Sequence, residues 1–189
     1  MGLTGTVPPC LGKLSSLTEL DLSFNRLSGN IPVFSSLAVL YLKANILEGE
    51  TVLSTICMVR NLSKVDLSGN QLNGSLPSCL GSLSSLTELR LSHNRLSENI
   101  PLSFANMSSS LAVFDLEYNV LEGETVINSI CMLNNLRKVD LSASRLNGNV
   151  PACLGRLSSL TKLDLPGNGL RGNIPLSFGN MSSSLVVLD

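Results

Sequence analysis

The stretch "SSLTELDLSFNRLSGNIP" (residues 15–32) returns as "SSLTELRLSHNRLSENIP" (84–101) and as "SSLTKLDLPGNGLRGNIP" (158–175). The leucines, the asparagine and the proline recur, whereas the letters between the leucines change. A repeat of about 20–50 residues is typical of solenoids and arrays, in which each repeat packs only against its neighbours. The repeat therefore decides the fold.

One anchor residue in each unit marks the period, and successive anchors are 20, 25, 24, 25, 25 and 24 residues apart. The anchors of units one to seven are Asn25, Asn45, Asn70, Asn94, Asn119, Ser144 and Asn168. Cys57 and Cys131 are 74 residues apart, as are Cys79 and Cys153, so a cassette of three units has been duplicated. We expect one domain over residues 1–189, with about seven full repeats, partial repeats at both ends and no capping domains.

The spacing inside the unit predicts a strand. Leu20 and Leu22 alternate with Asp21, so the leucines share one face and the aspartate lies on the other. Such strands bury their leucines only when units stack into a parallel sheet. Segments such as "LGKLSSL" predict short 3-10 or helical turns on the other side. A column of asparagines can both donate to and accept from the buried backbone groups of adjacent turns, which Ser144 is too short to do fully.

Composition excludes several classes of protein. The chain has 13 basic and 14 acidic residues without a Lys/Arg run, so we expect no nucleic-acid partner. No apolar stretch is long enough for a membrane span, and "MGLTGTVPPC" does not look like a secretory signal. The five cysteines occupy two repeat positions, so we expect small buried hydrophobes rather than disulfides or metal ligands.

Catalytic chemistry is not predicted. His93 is the only histidine, and no Cys/His cluster has the spacing of a metal site. One repeat position holds Asp21, Asp66, Asp115, Asp140 and Asp164. Carboxylates repeated in this way predict an exposed stripe. We therefore expect no enzyme activity, no metal and no cofactor.

The sequence resembles the plant-type extracellular leucine-rich repeat family, which includes receptor kinase ectodomains, receptor-like proteins and polygalacturonase inhibitors. The resemblance is carried by the leucines, the asparagine column and the G-x-[IV]-P segments at residues 29–32, 148–151 and 172–175. It implies an α/β fold: a right-handed leucine-rich repeat solenoid with a parallel concave sheet, short 3-10 or helical convex segments, and a second short strand at "LxGxIP". It also implies an extracellular or cell-surface location, although the location of this chain itself stays open.

Two departures from the family pattern stand out. Units two and five read "LEGETV" in place of "LSGNIP", so that Glu50 and Glu124 replace polar residues and the proline is lost. The paired-cysteine caps of the family are missing at both ends. We therefore expect the end units to self-associate or fray.

The variable positions of the strands predict the binding residues. Units four and five cluster cations beside an aromatic ring, at Arg90, His93, Arg95, Glu117 and Tyr118. Arg and Tyr are typical interface anchors, although ordinary solvated residues are the alternative interpretation. Phe24 and Tyr41 form a second candidate. Sequons at Asn61, Asn73, Asn106 and Asn180 would be glycosylated only in a secreted chain.

These features predict a recognition module that binds a protein or peptide partner through the concave face, as in a plant immune or developmental receptor. One alternative is a structural or dominant-negative solenoid that pairs with itself or with related repeat proteins. Another is an inhibitor of a secreted cell-wall hydrolase.

Overall fold

The computed structural model describes residues 2–123 and 125–189. Glu124 of unit five lies outside the described residues. In chain order the strands are β1 (Thr4–Thr6), β2 (Glu19–Asp21), β3 (Arg26–Ser28), β4 (Val39–Tyr41), β5 (Lys64–Asp66), β6 (Asn73–Ser75), β7 (Glu88–Arg90), β8 (Arg95–Ser97), β9 (Val113–Asp115), β10 (Lys138–Asp140), β11 (Asn147–Asn149), β12 (Lys162–Asp164), β13 (Gly169–Arg171) and β14 (Val187–Leu188).

Eight of these strands form one parallel sheet, in the order β14-β12-β10-β9-β7-β5-β4-β2. The register pairs the middle residue of each strand with that of the next, so Leu40 lies between Leu20 and Val65. Leu40 and Val65 are fully buried, whereas the residues that flank them face outward. The predicted alternation and stacking are confirmed. The outward side of this sheet is called the concave face below.

Six further strands form three small parallel sheets, which pair β1 with β3, β6 with β8 and β11 with β13. They lie at the "LxGxIP" segments, so the second short strand is confirmed. Units two and five depart from the repeat here as well. In the described part of the chain they form only isolated bridges, from Glu48 to Gln71 and from Val120 to Ser97.

Short helices follow the strands and complete each unit. In the described residues there are five 3-10 helices: Pro9–Lys13, Ser78–Ser82, Leu102–Met107, Ala152–Arg156 and Leu176–Met181. Two α-helices, α1 (Thr51–Ile56) and α2 (Thr125–Ile130), begin within the "LEGETV" segments, where the missing proline permits a helical turn. No helix in this part of the chain is long and apolar enough to span a membrane.

A ladder of asparagine side chains closes the turns after the strands. Asn94 is representative, because its Nδ2 donates to Leu67 O and Leu91 O at 3.0 Å each. Its Oδ1 accepts the N–H of Leu72 at 3.0 Å. Leu67 and Leu72 belong to the preceding unit, so each asparagine ties its own turn to the turn before it. The predicted column is confirmed, and it satisfies buried backbone groups that water cannot reach.

Ser144 occupies the same slot in unit six with a shorter side chain. Its hydroxyl donates to Leu116 O at 2.7 Å and lies 3.1 Å from Ser142 O. Elsewhere the equivalent backbone N–H, that of Leu72 for example, bonds to an asparagine Oδ1. Within residues 2–123 and 125–189 no bond joins the N–H of Leu121 to Ser144. The serine therefore replaces only part of the asparagine's bonding.

The expectation that the cysteines are small buried hydrophobes is wrong. Cys57 is bonded to Cys79, and Cys131 to Cys153, with a Cα–Cα distance of 5.7 Å in both pairs. Each bond joins the residue after an α-helix to the 3-10 helix of the next unit, 22 residues on. The stacking of units brings two different repeat positions together, whereas the sequence shows each position only as a column. Cys10 has an exposed free thiol.

Candidate functional site

The candidate site lies on the concave face, where the outward side chains form rows across the strands. One row holds Glu88, Val113, Lys138 and Lys162, and the next holds Arg90, Asp115, Asp140 and Asp164. Neighbouring strands lie about 4.8 Å apart. Side chains from three or four consecutive units can therefore reach one ligand group.

Two aromatic rings from neighbouring units stack at the carboxyl ends of these strands. The rings of His93 and Tyr118 lie with centroids 4.7 Å apart and planes inclined by 14°. His93 Nε2 lies 3.8 Å from a carboxylate oxygen of Glu117, and the His93 N–H donates to Glu117 O at 2.8 Å. The structure thus brings together three of the residues that the sequence predicts for binding.

His93 and Tyr118 occupy backbone positions that favour glycine. Their φ angles are 54° and 49°, and Gly69 and Gly167 fill the same slot in other units with φ of 66° and 70°. A side chain in this left-handed region costs roughly 1–2 kcal/mol relative to the right-handed one. The slot has a positive φ in all seven units, so this conformation belongs to the turn of the repeat and is not confined to the site.

Arg90 projects from the end of β7 into the same region. Its Nε donates to the Glu88 carboxylate. The guanidinium lines a pocket of about 200 Å³ together with Asp115, Asp140 and Asp164. Arg90 therefore shares one pocket with a group of carboxylates from units five to seven.

Three carboxylates from units five and six converge. Oxygen atoms of Asp115, Glu117 and Asp140 lie within 4.8 Å of one another. Burial raises the pKa of both Asp115 and Glu117, and the negative charge of Asp140 raises each pKa further. The sequence did not predict this cluster, because its carboxylates come from two units and meet only when the units stack. Three such oxygens could surround one hard cation.

The expected stripe of exposed aspartates is wrong for Asp164, which is only 6% exposed. Asp140 accepts the N–H of Ser142, two residues on, at 3.0 Å, and the same turn recurs at Asp21, Asp66 and Asp115. In unit seven the corresponding residue is Pro166, which has no N–H. Among the described residues Asp164 Oδ1 is therefore buried without a hydrogen-bond partner. The sequence signal is "LPGN", because this is the one unit of the seven with a proline before the anchor turn.

The other predicted binding residues lie apart from this group. Arg95 begins β8 and so belongs to a two-stranded sheet, which corrects its predicted position on the concave face. Phe24 is 74% exposed and lies under Lys43 Nζ, 5.9 Å from the ring centroid. Tyr41 is half-buried at the end of β4, and no ring contact in the described part of the chain joins it to Phe24.

The four sequon asparagines are exposed and lie off the concave sheet. Asn106 and Asn180 are in 3-10 helices, and Asn73 begins β6. Asn61 lies before β5, and its Nδ2 donates to Ser35 O at 2.9 Å. Glycans attached at these positions would leave the concave sheet uncovered.

Comparison with known proteins agrees with the repeat and the sheet. The profile of the Leucine Rich Repeat matches residues 16–37, 61–83, 85–107 and 159–181. The chain belongs to the leucine-rich repeat family. Receptor-like protein 35 of Arabidopsis thaliana is 37% identical over 144 residues. That match covers 76% of this chain but 13% of the relative, so the chain spans a small part of such a receptor.

Solved structures of plant leucine-rich repeat receptors have the same fold. The TDR receptor superposes with a TM-score of 0.89 at 28% identity and covers 98% of this chain, which spans 32% of the receptor chain. The ectodomain of the Arabidopsis receptor kinase HAESA, solved with an IDA peptide hormone ligand, gives 0.86 at 29% identity, with 98% and 31% coverage. The repeats of this chain are therefore of the plant type, and its fold class is confirmed.

Proposed function

We propose that this chain is a non-enzymatic recognition module that binds a protein or peptide partner through its concave face. Binding centres on Arg90, His93, Glu117 and Tyr118, which we call the Arg90–Tyr118 patch. The observation that carries the proposal is the His93–Tyr118 stack, in which rings from two neighbouring units meet on the concave face.

The patch has the chemistry of an interface anchor. Tyr118 is 54% exposed, so its ring keeps apolar area available for a partner while His93 restricts its motion. Arg90 adds a planar fork of donors on the neighbouring strand. Tyr and Arg are enriched among the few residues that dominate binding energy. The stacked pair is ordered before binding, which lowers the entropic cost of association.

The relatives support a protein or peptide as the partner. HAESA, whose ectodomain shares this fold, was solved with a peptide hormone, and the similar receptor RGFR1 was solved with RGF2. The two disulfides support a location at the cell surface or outside the cell, because such bonds persist in oxidising compartments. Self-association through the end units remains a prediction, which light scattering over a wide concentration range would check.

The proposal is tested with a partner captured from plant extracts, purified and titrated by calorimetry. We expect Arg90→Ala or Tyr118→Ala to weaken binding by about 2 kcal/mol or more, as anchor residues do. Both side chains point away from the leucine core, so the melting temperature should change little. Asp21→Asn is the control, because it lies at the far end of the same face and keeps its turn acceptor. Equal, negligible effects of all three changes would move the contact surface elsewhere.

A further inference from the structure

Beyond Tyr118, toward units six and seven, the concave surface opens into a pocket of about 380 Å³. It exists because these units place Ala143 and Gly167 in the slot that Tyr118 fills in unit five. His93 comes from the strand on the other side, so the stack leaves the pocket side of the Tyr118 ring open. The volume lies in the lower part of the range for small-ligand sites.

The charges that line this pocket are unbalanced. Glu117, Asp140, Asp164 and Asp189 all line it, together with Lys162. Lys162 Nζ is already paired with Asp164 Oδ2 at 2.6 Å. In the described part of the chain Asp140 has no ion-pair partner, and Glu117 has only His93, at 3.8 Å. Glu117 and Asp140 are therefore among the carboxylates that face the pocket without a strong cationic partner.

An independent observation points to a missing donor. Within the described ranges Asp164 Oδ1 is buried without a hydrogen-bond partner, because Pro166 cannot supply the N–H that Ser142 supplies to Asp140. Buried polar atoms in native structures are nearly always hydrogen-bonded, so an exception requires an explanation. Both Asp164 and Pro166 line this pocket. A donor brought in by a ligand would replace the one that the proline removed.

The raised pKa of Glu117 also favours a cationic ligand in this pocket. Burial, followed by the charge of Asp140, raises the pKa of Glu117, and the charge of Asp164 contributes to the rise. Such a carboxylate is less stable in its charged form than it would be in water, and a bound cation would reverse this.

From the pocket, its carboxylates and the unpaired Asp164 oxygen, we infer that this site binds a guanidinium group, supplied as an arginine side chain by the partner of the concave face. The inference rests on the proposed function and names one feature of its ligand. A guanidinium is planar, so it can stack on the open face of Tyr118 while its edge donates to carboxylates. Its several donors can serve Glu117 and Asp140 together, which a single-point cation does less well.

The first copy of the duplicated cassette provides an internal contrast. The residues 74 positions before Glu117 and Asp164 are Lys43 and Arg90, which reverse both charges. Tyr118 has Ala44 as its counterpart. At the four equivalent charged positions the first copy is balanced, because Glu88 and Asp66 accompany its two cations. The first copy therefore lacks both the excess of negative charge and the aromatic ring of the second.

The probe is N-acetyl-arginine amide, with N-acetyl-citrulline amide as a neutral control of nearly the same shape. Each is titrated into the whole chain while the backbone amide signals are followed by NMR. We expect saturable shifts at Tyr118, Ser142 and Gly167 with the arginine probe and none with citrulline. Equal shifts with both probes, or no saturable shift with arginine, would overturn the inference.

Two variants and a matched control locate the site. Glu117→Gln and Asp140→Asn should each weaken the arginine probe several-fold, because each removes one charge and keeps an acceptor of the same shape. Asp66→Asn changes the equivalent of Asp140 in the first cassette and should leave the affinity unchanged. An equal loss with Asp66→Asn would show diffuse attraction to the acidic surface, which contradicts a pocket.

Two further titrations separate guanidinium recognition from other cation sites. N-acetyl-lysine amide should bind more weakly than the arginine probe, and calcium chloride should not displace that probe at equal concentration. Equal binding of lysine, or displacement by calcium, would refute the guanidinium assignment. No partner is used, so failure here removes the pocket alone, whereas failure of the Arg90 and Tyr118 variants against a partner removes the proposed function.

Discussion

The two copies of the duplicated cassette, residues 39–94 and 113–168, have the same interior and different concave faces. Their equivalent core residues are buried in both copies, for example Leu42 and Leu116, Ile56 and Ile130, Leu89 and Leu163. Each copy has one α-helix and one disulfide at the same place. The stacking of units therefore constrains the leucines and the turns. It leaves the outward positions free to change.

At several outward positions the two copies have charges of opposite sign. Three pairs of equivalent residues are reversed: Lys43 and Glu117, Glu88 and Lys162, Arg90 and Asp164. The Lys64–Lys138 and Asp66–Asp140 pairs are kept. The first copy thus presents Arg90 and Lys43, and the second presents the carboxylate cluster. The two ends of a ligand that spans both copies would meet charges of opposite sign. This difference favours binding of the ligand in one direction along the concave face over the reverse direction.

The largest expected effect is the loss of stability when the disulfide of either copy is removed. Replacing both cysteines of one bond by alanine, at Cys57 and Cys79 or at Cys131 and Cys153, should lower the free energy of unfolding by about 3 kcal/mol. The two losses should be similar, because both bonds close loops of the same length. Chemical denaturation would measure them.

The control is a count of thiols in the denatured, unreduced protein. The structure predicts one reactive thiol, that of Cys10. Five reactive thiols, or a pair of substitutions without any loss of stability, would contradict the disulfides and restore the interpretation of the cysteines as free side chains.

The next effect concerns the one position of the turn ladder where the copies differ. Ser144→Asn should raise the stability of the second copy by ~0.5–1.5 kcal/mol, because the amide oxygen can accept the N–H of Leu121. The reverse change, Asn70→Ser, should destabilise the first copy, since Leu47 N–H would lose its 3.0 Å bond to Asn70. Thermal unfolding of both variants would show opposite shifts. A lower melting temperature for Ser144→Asn would mean that a larger side chain does not fit there.

The repeat made the fold predictable because each unit states its own strand, turn and return segment. The anchor residues predicted the asparagine ladder. The alternation around Leu20 predicted which side of each strand is buried. Of the site, the sequence predicted Arg90, His93, Glu117 and Tyr118, since an aromatic ring beside cations is visible in one dimension. These contacts follow from adjacency along a regular sheet.

Features that depend on two repeat positions meeting were not predictable in this way. The Cys57–Cys79 bond joins positions that fall in separate columns of the repeat, and the column alone suggested burial. Asp164 looked like one more exposed aspartate, because its difference lies in the missing N–H of Pro166. The sequence groups Arg95 with the cations of the concave face, because a boundary between two sheets is not visible in the chain. A second strand begins at Arg95 and belongs to another sheet.

The smallest expected effect is a difference in pKa between two aspartates, Asp21 and Asp115, that occupy the same position of the repeat. The N–H and hydroxyl of Ser23 lower the pKa of Asp21, whereas burial and then the charge of Asp140 raise the pKa of Asp115. Carbon-detected NMR titration should show Asp21 below and Asp115 above their ordinary value. Asp21 then contributes stability that is present above its unfolded pKa and is lost as pH falls through its lowered folded pKa. Asp115 contributes stability that is present below its unfolded pKa and is lost as pH rises through its raised folded pKa.

Substitution at the two equivalent aspartates isolates the cause of the raised values. Asp140→Asn should lower the pKa of Asp115 and of Glu117, because the Asp140 charge raises both. Asp66→Asn, 74 residues earlier, should leave them unchanged. Identical titration curves for Asp115 in the two variants would show that the charge of Asp140 does not contribute to its pKa. The second copy would then lack the coupling between carboxylates that distinguishes it from the first. A fall with Asp140→Asn only would place that coupling in units five and six, next to the open face of Tyr118.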